Sequence, residues 1–166
     1  MNADRDAAAV EAAVEAAVDA AVNRAVALFD SGCNCAESVL EALTGFWGLE
    51  PARAAATVLG GGMAGSGYVC GALVGGLLAI GLRRGPLDAA DRDGRRAATT
   101  EARELLAWFS GRSQSVMCRD ITGCDLRTSE GSARMRDEDI KAKRCLPLVR
   151  DAVRHLAGRR AEGGRV

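Results

Sequence analysis

Gly60-Gly61-Gly62-Met63-Ala64-Gly65-Ser66-Gly67 runs directly into Tyr68-Val69-Cys70-Gly71-Ala72-Leu73-Val74-Gly75-Gly76-Leu77, inside a stretch, Ala54 to Leu82, that holds no charged residue. A membrane span and a buried core helix compete as readings of such a stretch. The two glycine clusters break it and leave an apolar helix of about 14 residues, Val69 to Leu82, against the roughly 20 that a span needs. The reading is therefore a core helix, ended by Arg83-Arg84-Gly85-Pro86. Gly67, Gly71, Gly75 and Ala79 recur every fourth residue. They give this helix a small-residue face that another backbone, or a buried group, can approach closely.

Upstream, residues 3–29 read as one long helix. Val10, Val14, Val18, Val22 and Val26 recur every four residues in an alanine background. Four-residue steps turn about 400°, so the stripe drifts by about 40° per step. Two uses remain open for it: close packing on another helix, including that of a second subunit in a homodimer, or a solvated extension. A second helix is expected from Asn34 to Leu43, closed by Thr44-Gly45, and a third from Pro51, a favoured first helical residue, to Leu59. Downstream, Asp88 is expected to cap a helix reaching Phe109, residues 110–143 form short turns at best, and Pro147 starts a last helix through Leu156. No alternating β-branched run is long enough for a strand. The expected fold is all-α: a single-domain bundle of short helices around the glycine-rich apolar helix. Its divisions are a long N-terminal helix (1–30), a cysteine-bearing domain (31–157) and a polar tail (158–166).

The chain has 166 residues, one domain's worth, and its 22 basic and 22 acidic side chains cancel. That balance, with 4 % aromatic residues, removes the basic and stacking surfaces that nucleic-acid binding requires. The glycine loop fits G-x-G-x-x-G. Helical, alanine-rich sequence precedes it instead of a strand, no acid follows about 20 residues on, and no Lys-Ser or Lys-Thr pair is present, so it is not a nucleotide loop. A tight turn is expected there, with N–H groups turned toward something small and negative. His155, the sole histidine, reads as a surface or partly buried helix residue, and no Ser-His-Asp set is indicated.

Six cysteines remain: Cys33, Cys35, Cys70, Cys118, Cys124 and Cys145. The charged, alanine-rich start is unlike a secretory signal, so a cytoplasmic chain is expected, in which cysteines serve metal or redox chemistry more often than as staples. No C-x-x-C pair occurs, against a zinc ribbon and against thioredoxin-type motifs. Most of the cysteines fall near expected helix starts, where free N–H groups and the helix dipole favour the thiolate and lower its pKa.

At these residues the chain resembles the C-GCAxxG-C-C family of redox-active proteins. The resemblance rests on Gly32-Cys33-Asn34-Cys35-Ala36-Glu37-Ser38-Val39-Leu40, Gly60-Gly61-Gly62-Met63, Cys70-Gly71-Ala72-Leu73-Val74-Gly75-Gly76-Leu77, Cys118-Arg119-Asp120-Ile121-Thr122-Gly123-Cys124-Asp125-Leu126 and Arg144-Cys145. It implies a small helical cytoplasmic protein whose four signature cysteines are Cys35, Cys70, Cys118 and Cys145, with Cys33 and Cys124 as additions. The leading expectation is that those four bind one iron–sulfur cluster for electron transfer, Gly71 and Gly75 letting the backbone close on it. The chain would then be an electron carrier or accessory redox protein serving a partner protein, rather than a hydrolase or transferase. Two alternatives stand beside it. One is metal-free thiol–disulfide exchange through Cys33/Cys35 or Cys118/Cys124. The other is a structural four-thiolate zinc site, or an interaction module built on the first helix.

Overall fold

A computed structural model describes residues 2–159. The helices run in the order α1 (Asn2–Asp30), α2 (Cys35–Phe46), α3 (Gly71–Arg84), α4 (Arg92–Ser113), α5 (Cys118–Thr122), α6 (Ser129–Asp137) and α7 (Leu146–Gly158). A 3₁₀ turn, Arg53–Leu59, separates α2 from the glycine loop, and a π-helical turn, Lys141–Cys145, leads directly into α7. The fold is all-α and forms one domain. Most of the polar tail expected over 158–166 lies outside the described residues.

The drift of the valine stripe decides what α1 can bury. Val18 and Val22 are enclosed, and Ala21, Ala25 and Leu28 take over the buried face as the stripe turns away. That face packs on α2 and α7. Val10 (61 % exposed) and Val14 (39 %) point to solvent on the first half of the helix.

The centre is shared by α2 and α3, and glycine makes their approach possible. A Cβ on Gly75 would stand 2.6 Å from the Ala36 carbonyl oxygen, and one on Gly76 would stand 2.9 Å from Leu105 on α4 and 3.0 Å from Leu156 on α7. The small-residue face expected on α3 is thus its contact with α2. Phe109, Leu40, Leu43, Leu73, Ile80, Leu105 and Leu156 are the large side chains fully enclosed in the resulting core. Arg112 on α4 and Asp151 on α7 add a half-exposed ion pair at 2.6 Å.

Several boundaries differ from expectation, each for a local reason. α2 runs through Thr44-Gly45 to Phe46. The helix expected from Pro51 is a 3₁₀ turn beginning at Arg53: Ala52 has no side chain to cap it, and Asn34 Nδ2 donates to the Thr57 carbonyl at 2.9 Å, drawing it out of an α-helical ladder. The cap of α4 is Asp91, which accepts from Gly94 N at 2.8 Å, whereas Asp88 closes the preceding turn through Ala90 N. α4 continues past Phe109 until Gln114 adopts a left-handed conformation (φ 61°). Within 110–143, where only turns were expected, α5 and α6 form, the latter capped by Thr128 accepting from Gly131 N.

His155 is the half-buried helix residue expected of it. Its ring stacks on Trp108, centroids 4.1 Å apart and planes 10° from parallel. Burial, and next to it the Arg159 charge, hold its pKa below the ordinary 6.5. The unfolded chain therefore binds more protons than the folded one as pH falls below about 6.5. Stability contributed by the neutral stacked ring is complete above that pH and declines below it. A His155→Phe variant is expected to keep the stack and show a flatter dependence of Tm on pH between pH 6.5 and 5.

Candidate functional site

Four of the six cysteines open helices. Cys35 is the first residue of α2, Cys70 caps α3, Cys118 is the first residue of α5, and Cys145 stands at the cap of α7. All four, with Cys33, line one cavity of about 550 Å³. All six cysteines are free. Cys124 is enclosed beside Met135 and Ile140 in a separate small cluster behind the cavity.

Each helix start is fixed by its own local chemistry. Asn34 caps α2: its Oδ1 accepts from the N–H groups of Ala36 (2.9 Å) and Glu37 (3.0 Å), while Glu37 Oε2 accepts from Asn34 N at 2.8 Å. This reciprocal capping box satisfies donors that a helix end leaves free. Asn34 Nδ2 and Glu37 Oε1 also hold the Thr57 carbonyl and hydroxyl, tying Cys35 to the turn before the glycine loop. Asn34→Ala is expected to lower stability by about 1–2 kcal/mol, read from urea unfolding.

Cys70 and Cys118 are brought together by a short antiparallel pairing. Cys70 N donates to the Val116 carbonyl at 2.8 Å, Cys118 N to that of Tyr68 at 2.6 Å, and Arg119 N to that of Gly67 at 3.1 Å. The glycine loop supports this pairing from behind. Gly61, Gly62, Met63, Ala64 and Gly65 all have positive φ, making one left-handed turn. The N–H groups of residues 63–68 all donate to carbonyls between Val58 and Met63. That overturns part of the expectation for this loop: a turn that closes its own hydrogen bonds does not present those N–H groups to an anion. Its role is steric. A Cβ on Gly62 would lie 2.6 Å from Cys118 Cβ and 2.7 Å from Tyr68 N, so only glycine lets the loop lie against Cys118. Gly71, in the cavity wall, is equally confined: a Cβ there would be 3.1 Å from Ala36 N and 3.2 Å from Cys35 Cβ. Gly75 lies one turn further along α3, against Ala36 and Val39, and is not part of the cavity wall.

Electrostatically the cysteines act on one another. Interaction with the Cys145 sulfur raises Cys35 well above the usual thiol value, and burial and the Cys145, Cys70 and Cys118 charges add to the rise. The same interaction lowers Cys145, aided by the Lys141 ammonium and opposed by burial. Burial pushes Cys70 up to about 11, against the N–H groups of Ala72 and Leu73. Burial, then the charges of Cys70, Cys145 and Cys124, pushes Cys118 up to about 12. The expectation that helix N-termini would lower these pKa values holds in direction only for Cys145, and there through its thiol partner and a lysine. For the other three, removal from water and crowding of like charges outweigh the dipole. Of the four, Cys145 is thus the thiol most readily ionised, and ionisation of the other three calls for added positive charge.

Lys141 and the Asn34–Glu37 box were not among the expected site residues. Both left a trace in the sequence: Asn-x-x-Glu is a helix-start signature, and the only two lysines in a chain otherwise using arginine, Lys141 and Lys143, directly precede Cys145.

The sequence model of the family described as "Putative redox-active protein (C_GCAxxG_C_C)" matches residues 33–158. The chain belongs to that family. No curated protein and no solved structure matches it. As a C_GCAxxG_C_C protein it carries all six of its cysteines within the matched span, while the whole of α1 precedes it. The central Cys-Gly-Ala-x-x-Gly of the family name is Cys70 to Gly75, where Cys70 faces the cavity and the two glycines admit α2. Among the described residues no helix is long and apolar enough to cross a membrane.

Proposed function

We propose that Cys35, Cys70, Cys118 and Cys145 form one redox centre and hold an iron–sulfur cluster for electron transfer to a partner protein. The observation that carries this reading is the convergence of four thiols, from four helix starts, on one cavity. Exchange between thiols needs two, whereas four thiolates are the usual complement of a 2Fe–2S or 4Fe–4S cluster. The donor chemistry fits. Three of the thiols have raised pKa values, so they remain neutral until a cationic centre draws their protons off. When bound, such a group supplies one-electron transfer. The protein's part is to present soft ligands on rigid helix ends, limit water through the apolar α3, and aim peptide dipoles inward.

Among the described residues, no three His, Cys, Asp or Glu side chains lie close enough together to hold a single metal ion. Tetrahedral zinc sets its sulfur ligands about 3.8 Å apart, given Zn–S bonds of about 2.3 Å. A zinc ion at this place would require the thiols to close up to that distance.

The presence of Cys35 and Cys145 in one cavity wall, each shifting the other's pKa, favours a second reading, thiol–disulfide exchange. The Cys145 thiolate would attack a substrate disulfide and expel one thiolate. Cys35, after losing its proton, would attack the mixed disulfide at Cys145 Sγ and expel the second. The protein then gains one disulfide as the substrate disulfide becomes two thiols. In this reading the exchanging pair is Cys35 and Cys145, whose thiols shift one another's pKa, in place of the Cys33/Cys35 or Cys118/Cys124 pairs expected from adjacency in sequence.

One preparation separates these readings. Protein purified without oxygen is expected to be brown, with iron and acid-labile sulfide in matched amounts. Colourless protein with about one zinc per chain would overturn the redox reading. Metal-free protein whose six thiols fall to four on mild oxidation would replace the cluster by the Cys35–Cys145 couple.

A further inference from the structure

Among the described residues, the wall of the cysteine cavity carries two ionisable side chains besides the thiols, Arg136 in the last turn of α6 and Lys141 at the start of the π-helical turn, and no Asp, Glu or His. Both are exposed, so they stand at the mouth of the cavity. Their own segment engages its other cations and leaves these two. Arg134 pairs with Glu138 at 2.9 Å and donates to the Gly123 carbonyl, and Lys143 Nζ donates to the Glu138 carbonyl at 2.7 Å. Arg136 and Lys141 make no ion pair among the described residues. Glu37, beside the wall residues Asn34 and Thr57, has its two carboxylate oxygens taken up by Asn34 N and the Thr57 hydroxyl.

The chain's formal net charge is zero, so its overall field favours neither sign of reagent. What a reagent meets at the mouth is the local pair of cations. Their donors are open to water and able to engage carboxylates, the guanidinium as a fork and the ammonium as a point charge. Lys141 is near enough to Cys145 for its charge to act on that thiol, so a carboxylate held there stands next to the redox cysteines. The segment that gives Gly60, Gly61 and Gly65 to the wall also carries the exposed side chains of Val58, Met63 and Tyr68. Apolar area beside a charged rim is the make-up of a protein interface.

We propose that Arg136 and Lys141 are the docking pair for the redox partner, a protein that approaches with an acidic surface whose carboxylates engage them. This assignment deepens the redox reading and rests on it, with a cluster or with thiols alone. It makes the mouth selective by charge: anionic reagents reach the centre faster than cationic ones, and the two residues are the reason.

The test sets redox reagents of opposite charge against the full chain prepared without oxygen. Brown protein is reduced, and its oxidation is followed with ferricyanide, an anion, and with tris(phenanthroline)cobalt(III), a cation, each taking one electron. Colourless protein is followed by thiol loss to dithiobis(nitrobenzoate), which carries two carboxylates, and to cystamine, which carries two ammonium groups. The ratio of anionic to cationic rate is expected to fall about threefold in Lys141→Gln and in Arg136→Gln, and about tenfold in the double variant. A change in the centre itself moves both rates together and cancels in the ratio. Lys143→Gln removes the same charge outside the cavity wall and is expected to leave the ratio as it was. Polyglutamate, standing in for the acidic surface, is expected to slow the anionic reagent in the unsubstituted chain and not in the double variant. A ratio unmoved by Lys141→Gln and Arg136→Gln, or moved as far by Lys143→Gln, overturns the proposal, and so does polyglutamate without effect. Protein that reacts with neither pair of reagents overturns the redox reading together with it.

Discussion

Gly62→Ala is expected to lower stability by about 2–5 kcal/mol and to remove the proposed redox centre with it. Two effects add at this position. Gly62 has φ 69°, a conformation that costs an L-residue about 1–2 kcal/mol. Its new methyl would also stand 2.6 Å from Cys118 Cβ and 2.7 Å from Tyr68 N, neither of which is a flexible side-chain end. Overpacking of that kind costs about 1–3 kcal/mol. The contact moves what matters chemically, because Tyr68 and Cys118 are joined by the hydrogen bond that sets Cys118 beside Cys70. Gly65→Ala is the control. Gly65 has φ 73° but open space around its Cα, so that variant carries only the backbone penalty, about 1–2 kcal/mol, and is expected to keep the centre. Urea unfolding of both variants, with cofactor or thiol content measured on the same samples, gives the comparison. Equal losses of stability in the two would mean that the Gly62–Cys118 contact is unimportant.

The glycine loop also shows how far sequence reading extends. Its glycines marked a turn before an apolar helix, and the structure has that turn and α3 after it. The hydrogen-bond direction inside the turn was not legible, because it depends on Met63 and Ala64 also adopting positive φ, which their own residue types disfavour. The helix-start placement of Cys35, Cys70 and Cys145 could be read from neighbouring Asn34, the glycine loop and Pro147, all local signals, whereas Cys118 opens α5 in a stretch where only turns were expected. Their meeting in one cavity depends on the pairing of residues 67–70 with 116–119 and on α2 lying against Gly71 and Gly75. These are long-range contacts that a local pattern does not encode. Burial explains the pKa values in the same way: the dipole is a property of one helix, whereas desolvation is a property of all the helices assembled. The valine stripe of α1 is the mixed case, since its drift is simple arithmetic, but the point where it leaves the core is set by how far α2 and α7 extend.

Replacing Cys70 by serine is expected to bring iron and sulfide down to background in anaerobically prepared protein, with Cys35→Ser, Cys118→Ser and Cys145→Ser behaving alike. A serine hydroxyl is nearly the size of a thiol, so the cap of α3 and the core behind it are kept. It does not ionise near neutral pH, however, and it is a hard oxygen donor where a soft sulfur is required. Cys33→Ser and Cys124→Ser are expected to keep full cofactor content: Cys33 lies at the cavity wall but precedes the Asn34 cap and opens no helix, and Cys124 sits in its own cluster with Met135 and Ile140. The same variants discriminate between the two redox readings. If exchange between Cys35 and Cys145 were the whole function, Cys70→Ser would still lose two thiols on oxidation, because neither partner has been touched, while Cys35→Ser and Cys145→Ser would lose none. If Cys70→Ser retained full metal content and Cys33→Ser lost it, the ligand set would have to be redrawn around the exposed end of the cavity, with Cys33 in place of Cys70.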